Sequence, residues 1–297
     1  MKSIIQCVLI LTLLTGRTLF ASTGLIDLQG QPVDTVKNLS VIAIWPPNTE
    51  GIDPSIPEKA KPCNKRFFDI HNPNITVYKP EKPNGTAIVL CAGGGYAYIA
   101  TGVEGGPTAE KLIAAGITVF VLKYRLPAEP GRYHVDPATL SDALRAIQLV
   151  RYHAGRFGID PGKVGIMGFS AGGHLASMAG ALYSQYHFGF DSIAAVNSRP
   201  DFMVLIYAVI PESVRVNEET PPAFLVHAKD DSSVAVGKSI TMYDLLTSHG
   251  VKSELKLYET GGHGFGPGRE NTDSMQWPDA FLDWLRNANF LSENREP

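Results

Sequence analysis

The sequence predicts an α/β protein, a mostly parallel sheet with helices on both faces. Three observations carry this. Short apolar runs alternate with helical patterns from residue 75 to residue 287, the pattern of strand–helix–strand units. The run I-T-V-F-V-L at 117–122 is almost continuously apolar, as a strand covered on both faces must be. Glycine- and aspartate-rich turns follow several of the strands, at the sheet end where reactive groups gather in such folds. Composition allows it: 297 residues, 44% hydrophobic and 19% charged, exclude a disordered chain and leave material for a large core.

The elements follow in order. Lys2 precedes an apolar stretch from Ile4 to Leu14, and Ala21-Ser22 offers a cleavage point. The stretch is too short to span a bilayer comfortably. Residues 1–21 therefore read as a secretory signal peptide, which predicts export and no stable membrane insertion afterwards. Cleavage there removes Lys2 and Arg17 and no acids, so 26 basic against 29 acidic residues become 24 against 29, a change in net charge from −3 to −5. No basic stripe favours nucleic acid. Residues 22–66 read as an N-terminal arm with a first strand, its part 45–66 an irregular surface segment rich in proline and charge. The remainder, 67–297, reads as one catalytic domain.

Within that domain strands are predicted at 75–79, 86–91, 117–122, 164–168, 202–209, 223–228 and 254–258. Helices are predicted at 108–115, stopped by Gly116, at 136–157, from 171 onward, at 234–249 and at 275–287. Asp136 caps the second of these and Pro137 opens it, with Leu140, Leu144, Ile147 and Val150 at helical spacing. Of the three cysteines, Cys63 and Cys91 lie beyond the leader. Export permits a bridge between them, while the place of Cys91 at the end of an apolar strand equally suits a buried thiol.

The sharpest chemical signal is Gly168-Phe169-Ser170-Ala171-Gly172, between an apolar strand and a small-residue helix. The spacing has a physical cause. A serine on a sharp strand-to-helix turn holds its hydroxyl clear of the sheet, and glycines two residues away on each side let neighbouring backbone pass. The helix that follows aims its first amides at the same point, where they favour developing negative charge. Ser170 is thus the candidate nucleophile.

A serine hydroxyl needs a base, and with this motif the order along the chain is serine, acid, histidine. His263 lies in the loop E-T-G-G-H-G-F-G at 259–266, just past the last predicted strand, and is the candidate base. His174 sits on the helix after Ser170, His227 inside a strand as a core histidine, and His249 at a helix end. The acid should follow the strand at 223–228, where Asp230 and Asp231 are adjacent. Spacing leaves the choice between them open, the other serving as a turn former or helix cap. Asp201 precedes its strand and so falls at the wrong end of a parallel sheet. After the strand ending at Cys91 come Gly93, Gly94 and Gly95. Their bare amides, with that of Ala171, form a candidate oxyanion hole, of which Gly94, Gly95 and Ala171 are the expected donors. Neither G-x-G-x-x-G before a helix nor G-x-x-x-x-G-K-[ST] occurs, and no Cys/His set has zinc spacing, so no cofactor or metal is expected.

G-F-S-A-G-G-H-L-A at 168–176 resembles the α/β-hydrolase fold esterases. The strings A-G-G-G-Y (92–96), E-G (104–105), L-K-Y-R-L-P (122–127), D-A-L-R-A-I-Q-L-V-R (142–151), S-R-P-D-F (198–202), P-P-A-F-L-V-H-A-K-D-D (221–231) and G-G-H-G-F-G (261–266) narrow the resemblance. They are similar to secreted bacterial esterases related to acetylxylan and feruloyl esterases. The resemblance, over about residues 41–290, implies Ser170 as nucleophile, His263 as base and Asp231 as acid, because Val234 follows three residues later. It implies an ester substrate, an acetylated or hydroxycinnamoylated plant polysaccharide such as xylan. Ala92 stands where many relatives have proline or histidine. Tyr96, Tyr98 and Arg199 are candidate substrate-binding residues. A serine peptidase of the same fold would normally bring a large extra domain, for which this chain has no room. A catalytically silent carbohydrate-binding relative would not need the full set of reactive residues.

Overall fold

The computed structural model describes residues 24–46, 48–134, 136–186, 191–211 and 214–291. The predicted signal peptide lies outside them. Eight strands form the main sheet: β1 (Val41–Ala43), β4 (Asn74–Tyr78), β5 (Gly85–Cys91), β7 (Thr118–Lys123), β8 (Ile159–Phe169), β9 (Met203–Ile206), β10 (Ala223–Ala228) and β11 (Ser253–Tyr258). Their spatial order is β1-β4-β7-β5-β8-β9-β10-β11. The six strands from β7 to β11 in that order are parallel, and β4 and β1 continue the edge in antiparallel fashion. A second, antiparallel sheet joins β2 (Lys59–Lys61), β3 (Arg66–Phe68) and β6 (Ile99–Ala100).

The helices are α1 (Gly106–Ala114), α2 (Pro137–Tyr152), α3 (Ala154–Phe157), α4 (Ala171–Leu182), α5 (Gly237–Ser248) and α6 (Trp277–Asn287). The chain leaves β5 for β7 on one side, then crosses back to β8 on the other. With right-handed crossovers this puts α1 and α2 on opposite faces. It also makes the carboxyl ends of β5 and β8 a topological switch point, the crevice where ligands bind in open α/β sheets. Ile88, Val89 and Leu90 of β5 and Phe224, Leu225 and Val226 of β10 have no exposed surface, which is why these strands carry no apolar–polar alternation. Among the described residues no helix is long and apolar enough to cross a membrane.

Most predicted elements sit within a few residues of their observed bounds, and the differences have local causes. The predicted helix 136–157 breaks at His153 and ends at Gly158, which takes the left-handed conformation (φ 73°). Asp136 does cap its start, accepting from the Thr139 amide at 2.8 Å. The helix predicted from 108 begins at Gly106, after a π-helical turn over Thr101–Gly105. The segment read as a surface arm is tied in at both ends. Trp45 is buried and its Nε1 donates to Asp142 at 2.7 Å, while 59–61 forms β2. A proline-rich composition does not reveal that one indole is anchored almost a hundred residues away. The bridge considered between Cys63 and Cys91 is not formed: Cys63 is exposed and Cys91 is buried, both as free thiols. Burial pushes the Cys91 thiol well above its usual range, the inert condition of a core cysteine.

Candidate active site

Ser170 occupies the turn between β8 and α4 with φ 51° and ψ −116°, a conformation that costs free energy and persists only where the surroundings enforce it. The glycines of its motif enforce it through close approach. A Cβ on Gly168 would lie 2.1 Å from the Gly172 carbonyl oxygen, and one on Gly172 would lie 2.0 Å from that of Cys91. Neither contact is possible for a real side chain, so β5, β8 and α4 can meet this closely only through glycine.

Ser170 Oγ–H donates to His263 Nε2 at 2.9 Å. His263 Nδ1–H donates to Asp231 Oδ2 at 2.8 Å. Ser170 is 7% exposed, and the side chains of His263 and Asp231 are 24% and 0% exposed, so the imidazole is the most exposed member of a line that ends on a buried carboxylate. Burial pushes the Asp231 carboxyl up, but hydrogen bonds from the Val234 and Ser233 amides and the His263 ring outweigh it. They hold the group below the usual carboxylate range. Asp231 is therefore ionised at neutral pH, where it orients the imidazole and stabilises the imidazolium.

Asp230 lies in the turn that the Asp231 amide closes on the Ala228 carbonyl at 3.2 Å, as a turn former would, and its side chain does more than that. Its two carboxylate oxygens accept from the Gly262 amide at 2.7 Å and the Gly261 amide at 3.3 Å. It clamps the loop that delivers His263. Arg269 donates to the His263 carbonyl at 2.9 Å from the other side of that loop.

The core reading of His227 is accurate but incomplete. The ring has no exposure, and Nδ1 lies 2.8 Å from Ser239 Oγ. Its Nε2–H donates to the Val234 carbonyl at 3.0 Å and lies 3.2 Å from Asp231 Oδ2. Burial holds its pKa down. A neutral imidazole thus faces the same carboxylate oxygen as His263, which the sequence signalled only through its spacing four residues before Asp231.

The three glycines after β5 form the wall opposite. Gly94 and Gly95 take positive φ, 131° and 62°. Their carbonyls are held by the Ala97 and Gly131 amides at 3.1 and 3.0 Å, which fixes the orientation of the loop. A Cβ on Gly94 would lie 2.1 Å from the Tyr98 carbonyl oxygen. Among the described residues the amides of Gly94, Gly95 and Ala171 have no protein acceptor, the state required of donors reserved for a developing oxyanion.

Two of the three candidate substrate-binding residues are elsewhere. Tyr96 is buried, and its hydroxyl is paired with His174 Nδ1 at 2.8 Å. It props the oxyanion loop from below because its positive φ (60°) turns the side chain into the core. Arg199 precedes β9, and so lies at the amino end of the parallel sheet, away from Ser170. There it donates to the Glu219 carbonyl at 2.8 Å and stacks over Tyr183, beyond the far end of α4. Tyr98 does stand beside the site, half-buried against Gly94, with Phe68 at 5.7 Å and the Arg66 guanidinium 4.5 Å over its ring.

Residues 74–213 match the BD-FAE family and residues 206–289 the prolyl oligopeptidase family. The crystal structure of an acetyl ester-xyloside bifunctional hydrolase from Caldicellulosiruptor lactoaceticus is 32% identical. It superposes with a TM-score of 0.71, over 88% of this chain and 100% of that one. The chain belongs to the α/β-hydrolase family. An acetylxylan esterase of Xylanibacter ruminicola is 32% identical over 244 residues, 71% of this chain and 47% of that protein. A protein of Butyrivibrio fibrisolvens named endo-1,4-beta-xylanase B is 26% identical over 268 residues, 80% of this chain and 39% of its own length. The chain thus spans under half the length of these curated relatives.

Proposed function

We propose that the protein is a secreted serine carboxylic-ester hydrolase that removes acetyl or hydroxycinnamoyl groups from a plant polysaccharide such as xylan. The observation that carries this reading is the unbroken line Ser170–His263–Asp231. In the proposed reaction His263 Nε2 takes the Ser170 proton as Oγ attacks the ester carbonyl. The amides of Gly94, Gly95 and Ala171 receive the oxyanion, each contributing roughly 3–4 kcal/mol of barrier lowering. The tetrahedral intermediate collapses as His263 gives the proton to the leaving sugar oxygen, which departs as a hydroxyl and leaves an acyl-Ser170. Water, deprotonated by the same imidazole, then releases the acid.

The substrate class draws its support from the Caldicellulosiruptor and Xylanibacter relatives, named for acetyl ester, xyloside and acetylxylan. The apolar leader supports export, so the form to assay begins at Ser22. The test is release of acetate from acetylated xylan, and of 4-nitrophenol from its acetate ester, beside Ser170→Ala. A loss of about 10⁴-fold or more is expected for the variant. Equal rates would remove the mechanism, and a feruloylated substrate cleaved faster than the acetylated one would shift the acyl group.

A second reading, a serine peptidase of the same fold, has the match at 206–289 behind it. That stretch holds Asp231 and His263 but not Ser170. Peptide anilides cleaved faster than the acetyl esters would favour it.

A further inference from the structure

Glu104 takes no part in the line of proton transfer, yet it is one of the most enclosed acids in the molecule, 4% exposed. It comes from the π-helical turn Thr101–Gly105, an insertion-like geometry often found at functional sites. A buried carboxyl is tolerated only when its oxygens are engaged, and both are. Oε2 accepts from the Gly93 amide at 2.5 Å, and Oε1 accepts from the Tyr207 hydroxyl at 2.9 Å. The Tyr207 oxygen in turn accepts from the Gly266 amide at 3.1 Å.

The chain of contacts joins the two halves of the site. Gly93 opens the oxyanion loop, and a Cβ built on it would lie 2.9 Å from Ser170 Cβ and 3.1 Å from Glu104 Oε2. Gly266 is three residues past His263, and the Tyr207 ring centroid is 4.9 Å from that of His263. Tyr207 itself has φ 35° and no exposed surface, so its hydroxyl has no alternative partner in solvent. One carboxyl therefore sets the distance between the amides that receive the oxyanion and the loop that carries the base.

We infer that Glu104 is a positioning residue, acting through Gly93 and Tyr207 to hold the oxyanion amides and the His263 imidazole in register. The inference rests on the esterase reading for its substrate but not for its readout. Fluorophosphonate labelling forms an Oγ–P bond at Ser170, expels fluoride, passes the serine proton to His263 and places the phosphoryl oxygen among the oxyanion amides. It needs the register of both halves and no ester.

Wild type, Glu104→Ala, Glu104→Gln and Tyr207→Phe would be compared by labelling rate, by kcat and KM on 4-nitrophenyl acetate, and by thermal unfolding. Glu104→Ala is expected to lower labelling rate and kcat about 100-fold, with KM within about 3-fold. Glu104→Gln keeps an acceptor for Gly93 and a polar group for Tyr207, and is expected to recover at least about 10-fold of that loss. Glu104→Gln combined with Tyr207→Phe is expected to be no slower than the slower single variant, because both weaken the same Glu104–Tyr207 contact. Labelling as fast in folded Glu104→Ala as in wild type would overturn the inference, as would a loss confined to thermal stability. Should Glu104→Ala not fold, strictly additive losses in the Gln–Phe pair would overturn it equally. A wild type that labels but cleaves no ester would count against the esterase reading alone.

Discussion

Asp230 and Asp231 are chemically identical neighbours with opposite assignments. Asp231 faces the imidazole and Asp230 faces the amides of the loop that carries it. Asp231→Asn replaces an acceptor by a donor opposite His263 Nδ1 and favours the wrong tautomer, so kcat is expected to fall about 10⁴-fold. Asp230→Asn retains one oxygen for the Gly262 amide, and a loss of about 10-fold is expected. Steady-state kinetics on a chromogenic acetate ester checks both, and the reverse order would transfer the acid role. Residue chemistry alone could not choose between the two, because the backbone torsions of one turn decide which side chain points where. The resemblance pointed to Asp231. Nothing in the sequence pointed to the clamp made by Asp230, since it depends on the loops after two strands being brought together from a distance, and the contact of His227 with Asp231 was signalled only by their four-residue spacing.

At the level of elements, the strand–turn–helix around Ser170 was fully legible, because glycine spacing and apolar flanks act locally. The close approach of neighbouring backbone is the reason the glycines cannot vary. Gly172→Ala would place a methyl 2.0 Å from the carbonyl of Cys91 on the central strand β5, where no flexible side chain can yield. Such overpacking is expected to cost about 3 kcal/mol or more, or to abolish soluble protein. Gly237→Ala, at the start of α5 with no atom near the added carbon, is the control and should stay within about 1 kcal/mol. Urea unfolding of the two variants measures the contrast. Less legible were the π turn that carries Glu104 and the break at His153. Neither has a composition of its own, and both arise from packing.

For the whole molecule, the expected pH response lies in His174, on α4 beneath the nucleophile. Burial, with a smaller contribution from nearby His134, lowers its pKa from 6.5 to about 4. The folded state therefore resists protonation that the unfolded chain accepts. The stability from the neutral ring is complete above about pH 6.5 and is lost progressively as pH falls toward 4. The loss across that window is about 3 kcal/mol. Unfolding free energies of wild type and His174→Gln, compared between pH 7 and pH 4, should differ in their change by about 3 kcal/mol. Parallel pH profiles would contradict the buried neutral ring. The difference between the two proteins isolates this one group from the other titrating carboxyls.

The order of apolar runs, the glycine spacing about Ser170 and the chain order of serine, acid and histidine determined the sheet, the nucleophile and the base by sequence alone. Each depends on backbone preferences and burial patterns that act over a few residues. Only the tertiary structure decided that Tyr96 is buried against His174 and Arg199 held on the Glu219 carbonyl, that Cys63 and Cys91 stay apart, and that Glu104 links two catalytic loops. These outcomes depend on which distant segments share a neighbourhood, and the direction of a side chain is fixed by the packing that closes around it.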